Sequence, residues 1–378
     1  MPFALIKRRN KEIFGLALER LKKNGKNTPD ALYISHNESH GSDRNFFLLT
    51  GIDSGSFIYS SVVVTRDGTP HLFVQELEEE EVKPTGLPYT LIRPGEKTVL
   101  RALKGHSVVG VNAEVLTLAE AGRLKDHKYA LVNIGPDLEE ARAIKTEPEL
   151  AHLRKASEIA AQTAHDIPKM VKADMTEKEL CARIDYKMAS LGSDGIAFDT
   201  IVAFGERSAI PHATPSDRKL KKGEFILCDF GALSGKMRSD ITRTFVFGAA
   251  SEGQKALYHA VLKIQKHAFS RLKSGVNGRE LHADADAAIL EFFRRKKAPA
   301  GKMGHSLGHS IGLYSHDGKR LSLATDYILP HHFITTVEPG GYLPGFGGVR
   351  IEDMALVTRQ GAENLTEKAP KNELIEIT

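Results

Sequence analysis

Apolar and polar positions alternate with two different periods along this chain, and the change of period divides it. Residues 11 to 24 place Ile13, Leu16, Leu18 and Leu21 at helical spacing, which predicts an amphipathic helix. Short β-branched and aliphatic runs follow. Ala31–Ile34 predicts a strand, and Asn45–Thr50 is an apolar segment closed by Gly51. Ser60–Thr65 and Thr69–Val74 flank a turn containing Asp67-Gly68, a strong hairpin signal. Val108–Val111 and Ala130–Ile134 predict further short strands, with a helix over Leu116–Leu124 between them. The acidic run Glu76–Glu81 predicts an exposed helix start, and His36 and His40, flanking a polar loop, read as surface residues. Strands alternating with helices in this way describe a small α/β domain.

The pattern restarts near residue 144. Thr146-Glu-Pro-Glu149 is a capping box with proline in the first turn, opening a helix to about His165. Thr176-Glu-Lys-Glu179 caps a second helix that ends near Gly192. Strands are expected over Phe198–Phe204, Glu224–Phe230 and Asp240–Phe247, two more helices over Ser251–Leu272 and Gly278–Arg295, and a last strand over Glu352–Thr358. The expected organisation is an α+β chain with domains 1–143 and 144–378.

Composition narrows the function classes. The 378 residues are 41% hydrophobic and 26% charged, ordinary for a globular protein with a large core. Net charge is only +4, and the run Arg294–Lys297 reads as a solvated helix end, so no nucleic-acid partner is expected. Cys181 and Cys228 stand far apart, outside any CxxC pair, so neither a disulfide framework nor a zinc knuckle is indicated. The first residues have the wrong order for a signal peptide and no run reaches the length of a membrane span. The expected location is cytoplasmic, with no membrane partner.

Candidate chemistry gathers in the second half. His305, His309 and His316 precede Glu338, Arg350, Glu352 and Asp353, set among glycines, Pro339 and apolar strand-like runs. A buried charge is costly unless neutralised, so these residues describe either a salt-bridged sheet edge or a metal site. Asp229 ends one predicted strand and Asp240 begins the next. An antiparallel pairing would bring both carboxylates to one end of the hairpin, which calls for a cation or a shared proton. Adding His309, Glu338 and Glu352 gives four carboxylates and one imidazole. Two divalent ions would match that charge, and ions about 3.5–4 Å apart that share a water form a hydrolytic centre.

Asp229-Phe-Gly231, Asp240-Ile-Thr-Arg-Thr244, Gly308-His-Ser-Ile-Gly312 with His316, Thr336-Val-Glu-Pro-Gly340 and Gly348-Val-Arg-Ile-Glu-Asp353 resemble, in order, the motifs of the pita-bread metallopeptidases. The stretch from about 142 to 358 is most similar to their proline-specific branch, the Xaa-Pro dipeptidases (prolidases) and Xaa-Pro aminopeptidases. The resemblance implies a C-terminal pita-bread (creatinase/aminopeptidase) fold behind a smaller creatinase-like α/β domain. It implies hydrolysis of the bond before proline in Xaa-Pro dipeptides. An aminopeptidase acting on longer peptides is the alternative, and a metal-free non-peptidase relative a remote one. Asp229, Asp240, His309, Glu338 and Glu352 would hold two divalent ions, manganese first, with cobalt, zinc or iron as alternatives. Glu338 would also take a proton from water. His212 and His316 would contact substrate and stabilise the oxyanion or pass a proton to the leaving nitrogen. Arg320 would grip the free carboxylate of a dipeptide; Arg350 is a second candidate, or an orienter of a ligand carboxylate. His305 reads as support for the ligands. Short proline-containing peptides are the implied partners and a homodimer the implied assembly. The chain departs from its relatives at Arg207, where Asn is common, at Asp317, where Glu is common, and at Gly341, where a β-branched residue is common.

Overall fold

A computed structural model of the protein describes residues 1–37, 41–93, 100 and 102–378, so His40 lies outside the described residues. The chain divides into two compact units, Met1–Arg142 and Ala143–Thr378.

In the first unit a mixed sheet runs in the order Tyr89–Ile92, Pro70–Gln75, Ser60–Thr65, Ala31–Asn37, Val108–Val111, Ala130–Asn133. The hairpin at Asp67-Gly68 forms, pairing Val64 with Pro70, and Gly68 takes a positive φ that suits glycine. The first helix covers Phe3–Lys23, longer than the apolar spacing indicates, because Arg9 and Asn10 are buried in its opening turns. Asn45–Thr50 forms a buried helix ended by Gly51 in the left-handed conformation. Two surface expectations are corrected. His36 is buried at 2% exposure against Phe46 and Phe47, since its strand faces that helix. The acidic run forms a 3-10 turn and a four-residue helix, and Glu78 turns inward to accept a hydrogen bond from Ser60 at 2.5 Å.

The second unit is built on a sheet ordered Glu376–Ile377, Ile241–Phe247, Glu224–Phe230, Ile201–Phe204. Helices Glu147–Met170 and Glu177–Ser190, both opened by capping boxes, pack Ala160, Ile167, Leu180 and Ile184 with Val202, Ile226 and Phe245. The first runs beyond His165 to Met170, with Pro168 in its last turn. Helices Glu252–Arg271 and Gly278–Arg295 bury Leu257, Val261 and Ile289 with Val349, Ile351 and Val357 in a second cluster. Gly341 belongs here: a β-carbon at that position would come within 2.8 Å of the Leu257 side-chain tip and 3.0 Å of that of Ile289, so a larger residue would require those side chains to shift. Ile334–Val337, Asp353–Val357 and Ala362–Asn364 form a three-stranded sheet, and Gly340–Leu343 pairs with Gly347–Arg350. Among the described residues no helix is long and apolar enough to cross a membrane.

Candidate metal centre

The Glu224–Phe230 and Ile241–Phe247 strands pair antiparallel with Thr242 opposite Asp229. Ile201 lies opposite Asp229 on the other side. Side chains directly opposite share a face, and residues two apart in a strand share it too. Asp229, Asp240, Thr242 and Ile201 are thereby sent to one side of the sheet. The Phe198–Phe204 expectation is shortened by this geometry, because the strand begins at Ile201 while Phe198 lines the cleft.

His309 enters from a two-residue strand, Gly308–His309, that runs close to Thr336. A β-carbon at Gly308 would lie 2.0 Å from the Thr336 carbonyl oxygen, so only glycine allows this approach. His309 Nδ1 lies 3.1 Å from the Ser310 carbonyl, which places the proton there and leaves the Nε2 lone pair free. Nε2 lies 3.6 Å from Asp240 Oδ2 and 3.5 Å from Glu338 Oε1. Ligand atoms of Asp240, His309 and Glu352 fall within 4.8 Å of one another.

All five proposed ligands line a cavity of about 510 Å³ together with His212, His305, His316, Arg320 and Arg350. The electrostatics call for a cation or for shared protons. Burial, followed by the charges of Glu352, Asp229 and Glu338, raises the Asp240 carboxyl well above its ordinary range. Burial, with Glu338 and Asp229, does the same to Glu352. Burial pushes Glu338 up to about 8, helped by Asp229 and opposed by Arg350. Burial, then His316, pushes His309 down to about 3. Three buried carboxylate oxygens, Asp229 Oδ1, Asp240 Oδ1 and Glu352 Oε1, have no hydrogen-bond partner among the described residues. Unsatisfied buried acceptors of one sign, converging on a neutral imidazole, suit a divalent ion bound by oxygen and nitrogen.

The surrounding groups hold these ligands. Thr242 Oγ1 donates to Glu352 Oε2 at 2.6 Å. Arg350, 2% exposed, donates to Asp229 Oδ2, to Thr242 Oγ1 at 3.0 Å and to the Tyr342 hydroxyl at 2.7 Å. Its guanidinium is thus bonded to Asp229, Thr242 and Tyr342. His305 Nδ1 faces the Ser306 carbonyl at 2.8 Å, so Nε2 accepts from Tyr342 at 2.9 Å, and burial drives this ring down to about 4. Tyr342 and Thr242 were missed by sequence reasoning. Thr242 could have been found from its place two residues after Asp240; Tyr342 carries no local signal. His316 stacks edge-on against His309, with ring centroids 4.2 Å apart, and its ring is lowered by burial, Arg320 and His212. Arg320 pairs with His309 across the Gly308–His309 and Arg320–Leu321 ladder, is exposed to the cleft, and joins no ion pair among the described residues.

A buried oxygen-and-imidazole cage at the floor of a histidine-lined cleft defines a metal-dependent hydrolase. The match of residues 151–359 to the metallopeptidase family M24 makes it specific: the chain belongs to that family, and divalent metal binding comes with it. A protein of Pyrococcus horikoshii named Xaa-Pro dipeptidase is 32% identical over 348 residues, 90% of this chain and 94% of its own length. Among solved structures, an X-Pro aminopeptidase from Thermotoga maritima is 31% identical with a TM-score of 0.82, covering 94% of this chain and 99% of its own. A prolidase from Pyrococcus horikoshii is 31% identical with a TM-score of 0.83, covering 96% and 100%. These neighbours share the pita-bread fold with its additional N-terminal domain.

Proposed function

We propose that the protein is a dinuclear metallopeptidase that hydrolyses Xaa-Pro dipeptides. Arg320 carries the dipeptide reading. Standing opposite His309 in a β-ladder, it lines the same cavity as the proposed ligands. A substrate carboxylate bound there leaves room for one residue beyond the scissile bond.

In this reading Asp229 would serve one ion, His309 and Glu338 the second, and Asp240 and Glu352 both. When bound, the ions polarise the scissile carbonyl and lower the pKa of the attacking water. Glu338 takes that water's proton. His212 and His316 face the cleft and stabilise the developing oxyanion, then hand a proton to the leaving imino nitrogen. Arg350 and His305 keep the ligands in place. Manganese as the working metal, a cytoplasmic homodimer, and functional domains at 1–143 and 144–378 complete the proposal and rest on family layout. Metal content per chain tests the dinuclear centre, turnover of the metal-free chain reloaded with each divalent ion tests manganese, and sedimentation tests the homodimer; a value near one ion per chain, best turnover with another ion, or a fully active monomer would remove the corresponding part.

An Xaa-Pro aminopeptidase is the second reading, favoured by the structural likeness to the Thermotoga enzyme of that name. Turnover of Leu-Pro beside Leu-Pro-Pro separates the two. Leu-Pro is expected to be the better substrate, and strong turnover of the tripeptide alone would replace the first reading with the second.

A further inference from the structure

We propose that Arg207, held by the buried carboxylate of Glu177, is the positioning residue that aims His212 into the cleft. The inference rests on the assignment of His212 to substrate contact.

His212 lines the cavity, yet its ring makes no side-chain hydrogen bond among the described residues. Its aim is therefore set by the loop that carries it. That loop leaves the Ile201–Phe204 strand, passes through the 3-10 turn Gly205–Ala209 and Pro211, and returns at Ser216. One carboxylate closes its neck. Glu177 Oε1 accepts from the Phe204 backbone N–H at 2.9 Å, and Oε2 accepts from the Ser216 N–H at 2.9 Å and the Ser216 hydroxyl at 2.6 Å. Both ends of the loop are thus fastened to a single side chain that is completely buried. Glu177 is the first residue of its helix, where the aligned peptide dipoles favour an anion.

Arg207 spans the loop's interior. Its Nε donates to both Glu177 oxygens at 3.1 Å, and its Nη2 donates to the Thr214 carbonyl at 2.7 Å, two residues past His212. The guanidinium thereby ties the outgoing limb of the loop to the returning limb. The planar fork makes this possible: a lysine ammonium presents a compact point charge instead of two divergent donors. Arg207 is also peripheral to the core, with 29% of its side chain exposed. Losing it unties the Thr214 limb from Glu177 and loosens the stretch around His212, while Glu177 keeps its own bonds to Phe204 and Ser216 and both apolar clusters stay intact. Glu177, in contrast, anchors the strand end as well, so changing it risks the fold.

Chain positions that act through one another are non-additive, and this supplies the test. Steady-state kinetics on Leu-Pro with the metal-loaded full chain would compare wild type, Arg207→Met, His212→Ala and the double variant. Arg207→Met is expected to lower kcat about tenfold, the order of penalty that modest misplacement of a reacting group brings. In the His212→Ala background the same change is expected to alter kcat by less than about twofold. Metal bound per chain should stay at the wild-type value, and amide exchange over 205–216 should quicken in Arg207→Met. Equal loss in both backgrounds would show general damage and overturn the inference. So would wild-type kcat or unchanged loop exchange in Arg207→Met when His212→Ala is impaired. His212→Ala with wild-type kcat would instead remove the histidine's assigned role, and the positioning with it.

Discussion

Glu352 and Asp353 share a peptide bond, and both are buried, yet their surroundings are opposite. Glu352 accepts one hydrogen bond, from Thr242, has a buried oxygen without a partner among the described residues, and is raised well above the ordinary carboxyl range. Asp353 is 0% exposed, but both its oxygens are filled. Oδ1 accepts from Arg243 at 2.7 Å and Thr366 at 2.9 Å; Oδ2 accepts from Gln265 at 2.8 Å and from Lys371. Burial would raise Asp353, and Arg243 and Lys371 overcome it to hold the carboxyl below its usual value. Asp353 opens the Asp353–Val357 strand and Glu352 lies one residue before it, so one step along the chain moves from one environment to the other. A buried acid with its own cations is a brace. A buried acid among other acids awaits a cation from solution. The two sites are joined, since Arg243 also donates to the Glu352 carbonyl.

The sharpest way to break this contrast is to remove the incoming cation. Chelation, or Glu352→Gln, is expected to lower peptidase turnover on the order of 10³-fold, the scale of losing a principal electrostatic stabiliser. Readdition of a divalent ion should restore only the wild type. Activity surviving exhaustive chelation would end the metal reading. Next comes stability, where the two neighbours should differ in sign. Asp353→Asn leaves Arg243 and Lys371 short of their partner and is expected to destabilise by about 3–5 kcal/mol in denaturant. Glu352→Gln removes a repelling charge and should raise the melting temperature of the metal-free chain. A similar shift for both would show that the environments do not differ as described.

A smaller effect is expected at Arg320, which lines the cleft and joins no ion pair among the described residues. Arg320→Ala should raise KM for Leu-Pro about tenfold with little change in kcat. An unaltered KM would withdraw its grip on the substrate carboxylate. The smallest effect concerns His305. Its folded ring stays neutral down to about pH 4, whereas an unfolded histidine takes up its proton near pH 6.5. Unfolding therefore binds a proton within that window, and stability falls as pH drops through it. His305→Leu should flatten that fall by at most one proton, measured as denaturation free energy against pH. An identical slope in both proteins would contradict the burial assigned to the ring.

Much of the fold was legible because it is encoded in local periodicity. The Asp67-Gly68 hairpin and the capping boxes at Thr146, Thr176 and Ser251 are settled by residues within a few positions of one another. Errors came where distant packing overruled a local signal: His36 looked polar but is covered by Phe46 and Phe47, and Glu78 lies in an acidic run but turns to Ser60. Glu177 read as part of a helix cap, and nothing nearby shows that its carboxylate reaches Phe204 and Ser216.

By itself, then, the sequence determined the identities and order of the acids and histidines, and the strand and helix periods that carry them. Tertiary structure alone decided which acids meet their own arginine and lysine and which face only one another. The physical reason is range. Periodicity and capping act over a few residues, whereas compensation of a buried charge depends on partners such as Lys371 and Arg350, which folding brings from 18 and 121 positions away.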